Sequence, residues 1–367
     1  MRFSLALAVA PLLALPALAA SVCNGDASLC NRLYSNVTFI GAHDSYAVGQ
    51  GIADNQDKDV TAQLNDGIRA LQIQAHNASD GIHLCHTSCV LQDAGLLTDY
   101  LGKVKSWLDA NPNDVVTIVI VNIDNLPATA FASAYQTAGL DKKSFAPKAA
   151  ANTVQDWPTL GSLIDAGTPV VTFLNYNADF TAVPYLIDEF TNMWEDAYNV
   201  VDQEWGCAVN RSSNTGPSPN QKMYMINHFL DTTMSILGNV AFIPDKDKLN
   251  ETNAASGPGS IGFHVGNCVM LYARNPNIIL LDYYDSNGNA PFLAAAQLNG
   301  VAAPTNSVTP GVVSQTGGSA SGGASGTGAS GPIMSTTSNK NGAVGGMPAG
   351  LGLAAAVAGI VVSAVLA

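Results

Sequence analysis

Basic side chains are scarce in this chain: 15 Lys and Arg stand against 28 Asp and Glu, a formal net charge of -13. A protein this acidic is a poor general partner for nucleic acid or for an anionic membrane surface, although one local basic pocket for a single phosphate stays open. Gly-x-Gly-x-x-Gly and P-loop motifs are also missing, which makes a nucleotide-binding doubly wound sheet the weaker α/β option. No internal repeat is evident, and no cysteine is left over: the six at Cys23, Cys30, Cys85, Cys89, Cys207 and Cys268 form an even set. An even set suits a disulfide framework in an oxidising compartment, with connectivity open on sequence alone. Nearness in sequence favours Cys23 with Cys30 and Cys85 with Cys89, leaving Cys207 with Cys268.

The two ends point to the same compartment. Arg2, the apolar run from Phe3 to Leu15 and the small-x-small Ala17-Leu18-Ala19 predict a signal peptide over 1–19, the run being short for a bilayer span. Residues 304–341 are rich in Ser, Gly and Thr and poor in large apolar side chains, so they are read as a linker. Residues 342–367 form a short spacer and an apolar end without a following positive charge, which predicts a GPI-attachment signal with Asn341 as acceptor; a C-terminal transmembrane helix is the rival. Sequons at Asn36, Asn77, Asn210 and Asn250 predict glycosylation. Together these place a domain of residues 20–303 outside the cell, at the surface or wall.

Within that domain, Val37–Gly41, Ile68–Ala75 and Ile82–Leu84 read as strands, and Leu96–Asp109 has the helical period up to Asn111-Pro112. Val115–Val121 is a β-branched run of the kind buried on both faces of a parallel sheet. Ala128–Ala138 reads as a helix, and Pro169–Leu174, Met223–Ile226 and Ile278–Leu281 as further short strands. Polar residues gather just after strand ends: His43-Asp44, His86, Asn227-His228 and Asp282-Tyr283-Tyr284. A parallel α/β sheet closed toward a barrel brings such ends together, because all strand C-termini open on one face. In that setting an imidazole beside a carboxylate is held in one tautomer and suits acid-base work on a hydroxyl or phosphate.

Gly41-Ala42-His43-Asp44-Ser45, Gly67-Ile68-Arg69-Ala70-Leu71, Leu84-Cys85-His86, Trp107-Leu108 with Asn111-Pro112-Asn113-Asp114, and Ile278–Leu281 before Asp282-Tyr283-Tyr284 occur in that order. They resemble the X-domain family of phosphatidylinositol-specific phospholipases C, and within it secreted or wall-anchored proteins of fungi and plants, over residues 33 to 300. The resemblance implies a distorted or incomplete TIM-type (β/α)8 barrel and phosphodiester cleavage. It assigns His43 as the base that activates the inositol 2-hydroxyl and His86 as the acid that protonates the leaving glycerol oxygen. Asp282 would orient the base, and Asp44 would lie near the phosphate.

The chain departs from the family at the group that steadies the phosphate. Where animal relatives carry acidic calcium ligands and bacterial ones an arginine, this chain has Gln72 and Gln74; a further ligand position falls on Val121 or Asn122. Asp44 is then the lone carboxylate of that set, too little for calcium, so no cofactor is expected. Gln72, Gln74 and Arg69 are the candidates for binding substrate, although strand alternation turns Arg69 away from Gln72 and Gln74 and toward a buttressing role. His76, His83, His228 and His264 are taken as structural, since oxidised cysteines beside them cannot hold zinc.

The expected activity is therefore metal-independent cleavage of an inositol phospholipid or related glycolipid by a monomer tethered to a membrane through its anchor, with no nucleic-acid partner. The alternative is a catalytically silent surface protein that binds a lipid head group or wall glycan, since glutamines suit sugar hydroxyls better than phosphate. A glycerophosphodiesterase-like hydrolase is weaker still, because it calls for a clustered acidic metal site.

Overall fold

The computed structural model describes residues 19–236 and 239–311. In chain order its elements are β1 (Phe39–Ala42), α1 (Val60–Asp66), β2 (Ala70–Ala78), β3 (Gly81–Cys85), β4 (Asp93–Leu96), α2 (Leu97–Ala110), β5 (Val116–Asn122), α3 (Ala128–Ala138), α4 (Leu160–Asp165) and β6 (Val170–Leu174). They continue with β7 (Leu186–Asp188), α5 (Glu189–Asn192), β8 (Met193–Glu195), β9 (Met223–Asn227), β10 (Asp231–Ile236), β11 (Asn239–Pro244), α6 (Leu249–Thr252), α7 (Ile261–Tyr272), β12 (Ile278–Leu281) and α8 (Ala290–Asn299).

The main path of the sheet runs β7-β6-β5-β2-β1-β12-β9-β8, and every pairing along it is parallel. This is the expected TIM-type barrel in its incomplete form. It stays open between β7 and β8, which are joined by α5 alone, and a paired parallel neighbour needs a crossover of about a dozen residues or more. Strands β3 and β4 extend β2 as an antiparallel flap, and β10 pairs with β11 as a separate hairpin.

Two apolar layers follow from the period of two. Phe39, Ala70, Met223, Met225, Ile278 and Leu280 fill the barrel interior, with Tyr34, Trp157 and the Cys23–Cys30 bridge packed among them. Ile40, Ala42, Leu71, Ile73, Ile118, Ile279 and Leu281 face outward against α1, α2, α3, α7 and α8. Gly41 points inward where β1 meets β12, and a Cβ there would stand 2.7 Å from Leu280 Cδ2, so a larger residue would have to displace the Leu280 side chain. The C-cap of α1 is Gly67 at φ 119, which turns the chain directly into β2.

All three disulfides form in the pairing that nearness in sequence favours, Cys23–Cys30, Cys85–Cys89 and Cys207–Cys268. The packed domain runs past the expected boundary at residue 303. Val308 is buried, its amide donates to Asn289 Oδ1, and the Gly311 amide donates to Asp285 Oδ2. The expected signal peptide, except Ala19, the linker beyond Gly311, Asn341 and the C-terminal tail lie outside the described residues. No described helix is long and apolar enough to cross a membrane. Asn36, Asn77, Asn210 and Asn250 are all exposed.

Candidate active site

Inward positions at the C-terminal ends of β1, β2 and β12 continue past the apolar layer as polar residues. Because 39 and 41 face in, His43 does too; because 278 and 280 face in, so does Asp282. His43 Nδ1 lies 2.8 Å from Asp282 Oδ1, and Asn55 Nδ2 donates to the same oxygen at 2.9 Å. A carboxylate only accepts, so His43 Nδ1 carries its proton and Nε2 is left for other partners. That Nε2 stands 3.6 Å from Asp44 Oδ2, and His86 Nε2 stands 3.4 Å from the same atom. The other nitrogen of His86, Nδ1, lies 2.8 Å from the Ala53 carbonyl, which fixes a proton there by the same reasoning. Two imidazoles from strands far apart in sequence thus direct Nε2 at one point.

Backbone strain marks the same three places. The residues that follow His43, His86 and Asp282 are Asp44 at φ 41, Thr87 at φ 62 and Tyr283 at φ 42, all in the left-handed region. Side chains with a Cβ avoid that region, at a cost of about 1–3 kcal/mol each, and hold it only where surrounding contacts impose it. For Tyr283 the contacts are a buried ring and hydroxyl bonds to the Asp54 and Gly49 carbonyls. At Thr87 the neighbouring Cys85–Cys89 bridge closes the turn that carries His86.

Electrostatics favour a charged His43 at rest. Burial opposes the charge, but Asp282 and then Asp44 outweigh it, with Asp231 adding to them, and the pKa is raised to about 9. Phe229 lies flat on the imidazole, centroids 3.8 Å apart and planes within 3°. Asp231, two residues further on, has its pKa pushed up to about 7 by burial and by Asp282, with His43 pulling the other way.

These groups surround a cavity of about 240 Å³, lined among others by His43, His86, Gln72, Gln74, Glu195 and Arg211. Gln72 Oε1 accepts from the Asp44 amide at 2.6 Å, and Gln74 Nε2 donates to Asp44 Oδ2 at 3.1 Å. Arg69 is a correction to the candidate binding set. It sits at the opposite end of β2, paired with Asp114 at 2.9 Å, donating to the Leu64 and Ile68 carbonyls and stacked on Trp107. Strand alternation and the proximity of Asp114 before β5 send it there.

Sequence reasoning missed Asn55, Phe229, Asp231, Glu195 and Arg211. Asn55 and Phe229 lie in loops without a period or motif. The Arg211 Nε donates to Glu195 Oε2 at 2.8 Å, its Nη2 reaches the same oxygen, and its guanidinium packs on Tyr198. Burial works against the Glu195 charge, but Arg211 keeps the carboxyl below its usual range, while burial beside Glu195 pushes Glu189 well above it. Calcium does not fit the donors present. Gln72 Oε1 is taken by the Asp44 amide, and Asn122 is buried and bonded to Leu126 and Tyr176. That leaves Asp44 as the lone carboxylate of the set, where calcium takes six to eight oxygens.

The structural histidines are equally defined. His228 Nδ1 meets His264 Nδ1 at 3.0 Å, and His264 pairs with Asp196 at 2.8 Å, beside the Cys207–Cys268 bridge. Cys207, His264 and Cys268 lie close together, as do His83, Cys85 and Asp93, but all three cysteines are oxidised.

A family model described as PI-PLC X 1 matches residues 29–299. The chain belongs to the PI-PLC X-domain family. It is 42% identical over 283 residues to a PI-PLC X domain-containing protein 1 of Arthroderma benhamiae, covering 76% of this chain and 90% of that one. An uncharacterized secreted protein of the same fungus is 43% identical over 284 residues, 76% of this chain and 64% of the relative, so the chain spans under two thirds of that protein's length. A PI-PLC X domain-containing protein of Arabidopsis thaliana is 25% identical over 256 residues, 67% of this chain and 55% of its own. Among solved structures, the phosphatidylinositol-specific phospholipase C of Staphylococcus aureus superposes with a TM-score of 0.47 at 14% identity, over 74% of this chain and 95% of that one. The enzyme of Listeria monocytogenes gives 0.45 at 14% identity, over 69% and 90%. The disulfides fit an oxidising, extracellular setting for this X-domain protein.

Proposed function

We propose that the protein is a metal-independent, phospholipase C-like phosphodiesterase acting on an inositol phospholipid or related glycolipid. The observation that carries this reading is the convergence of His43 Nε2 and His86 Nε2 on one point in one cavity, each ring fixed through its other nitrogen. In its neutral form, His43 takes a proton from a hydroxyl adjacent to the phosphate, and the freed oxygen bonds to phosphorus. The bond from phosphorus to the leaving oxygen breaks, and His86 delivers its Nε2 proton to that oxygen. A cyclic phosphate and an alcohol result, and the two histidines exchange protons with solvent to reset. Asp282 and Asn55 hold the base in its working tautomer. Arg211, Glu195 and Asn227 offer charged and amide groups to the hydroxyls of a polyol head group.

In the same reading the domain is secreted through residues 1–19, glycosylated at the four exposed sequons and held at the cell surface by a GPI anchor at Asn341, acting as a monomer. The test is release of cyclic inositol phosphate from inositol lipid vesicles by the purified protein, with His43→Ala and His86→Ala as controls. Turnover lost in both variants supports the reading. No product from any inositol lipid, even with Gln74→Arg, would leave a head-group binder instead.

A further inference from the structure

Charge in the cavity is matched side chain by side chain, with one exception. Asp282 faces His43 and Asn55, Asp44 faces the two imidazoles and Gln74, and Glu195 faces Arg211. Asp231 is left over. It is 6% exposed, lines the cavity, and its carboxylate has no hydrogen-bond or ion-pair partner among the described residues. Burial and Asp282 weigh against its charge, His43 alone draws the other way, and a positively charged group entering the cavity would complete the match.

The surroundings say what kind of group that is. In the β10–β11 hairpin, Asp231 is opposite Pro244 and Thr233 opposite Phe242, so Asp231, Pro244 and Phe242 share one face, and all three line the cavity. Phe242 is 42% exposed, and Tyr198 and Phe229 line the same space. A free carboxylate among aromatic faces is the environment that recognises an ammonium group. The phosphate end of the cavity points the same way. Gln72 and Gln74 are neutral, and the guanidinium of Arg211 is already engaged by Glu195. A bare anionic diester would meet an acidic wall, whereas a zwitterion brings its own positive charge.

We infer that the cavity takes a zwitterionic phosphodiester, with an ammonium group of the substrate seated on Asp231 beside Phe242 while the phosphate lies between His43 and His86. This rests on the phosphodiesterase reading and selects, among the glycolipids it allows, those that carry an ammonium group over a bare anionic inositol lipid.

The experiment is calorimetric binding to the full-length protein at pH 8 of glycerophosphoethanolamine and of glycerophosphopropanol, which has a methyl group in place of the ammonium. A partly buried ion pair predicts about tenfold or more tighter binding of the amine ligand. In Asp231→Asn the ratio falls toward one. A ratio near one in the unaltered protein overturns the inference, and this comparison holds even if the variant is unstable, because the charge is removed from the ligand. A full ratio retained in folded Asp231→Asn overturns it as well. Vesicles of phosphatidylethanolamine and phosphatidylpropanol run in parallel separate the sources: a preference there assigns a lipid head group, and one confined to the soluble pair assigns a free diester. Amine preference without turnover of any phosphodiester would sink the catalytic reading and leave the binding inference standing. Turnover without the preference would do the reverse.

Discussion

Phe229 lies parallel to the His43 imidazole at 3.8 Å, closing the face of the ring. Asp282, backed by Asn55, holds the edge of that ring and Phe229 its plane, so the proposed base is held with Nε2 toward the cavity. Orientation of this kind matters steeply, since a shift of about 1 Å costs on the order of a hundredfold in rate. Phe229→Leu should lower kcat by about tenfold with little change in KM, while Phe229→Tyr, which keeps the flat ring, should retain most of it. Steady-state kinetics on the pair decide this; equal losses would mean that the aromatic plane has no positioning role.

His43 sets the pH behaviour. With its pKa raised to about 9 by carboxylates that outweigh burial, the proposed base is protonated at neutral pH, and kcat/KM should be bell-shaped in pH, with one limb set by His43 at about 9 and the other by the proposed acid. Asp282→Asn removes the strongest of those carboxylates. It should move the His43 limb to lower pH and reduce the maximal rate by about a hundredfold or more. The linkage runs in a definite direction. The folded pKa lies above the unfolded value, so this group's contribution to stability is complete below about pH 6.5 and is lost as pH rises through about 9. Denaturant unfolding at pH 6 and pH 10 should show that loss, and Asp282→Asn should shrink it.

Restoring a positive charge beside the phosphate should help an anionic substrate. Gln74 lines the cavity and donates to the buried Asp44, and one preorganised donor at a developing charge is worth about two or three powers of ten. Gln74→Arg should raise kcat on an anionic inositol lipid by up to about a hundredfold. A fall in rate would show that the Gln74–Asp44 contact is needed as it stands.

The three disulfides should differ in kind. Cys207–Cys268 spans a sequence separation of 61 and Cys85–Cys89 one of 4. By chain entropy, losing the first should cost roughly 4 kcal/mol of stability and losing the second roughly 2 kcal/mol. Activity should rank the other way, because the small loop carries His86. Paired Cys→Ser variants compared by urea unfolding and by turnover at a temperature where both are folded test the reversal.

Arg69 supports the fold from the far end of the barrel. Arg69→Met removes an ion pair with Asp114 and two bonds to carbonyls, and should cost about 3 kcal/mol or more of stability while leaving KM unchanged. A raised KM in folded protein would return Arg69 to the binding set.

Much of this molecule is visible in local sequence. Ala128–Ala138, Val116–Asn122 and Ile278–Leu281 follow from period and β-branching, and His43, His86 and Asp282 from polar residues placed just past apolar strands. The disulfide pairing follows from spacing, because nearby cysteines meet with little loop entropy. Other features carry no local signal. Strands β7 and β8 have three residues each, too few for a period, and the barrel opens between them because α5 is too short to be a crossover.

Sequence by itself determined which residues stand at strand ends and which face each strand buries, since both follow from a two-residue repeat. Only the tertiary structure decided which of those residues meet. Asn55, Phe229, Asp231 and Arg211 reach the cavity on loops and a hairpin whose course is set by packing over long separations. Asp231 acquires its significance only there, as a buried carboxylate without a hydrogen-bond or ion-pair partner among the described residues.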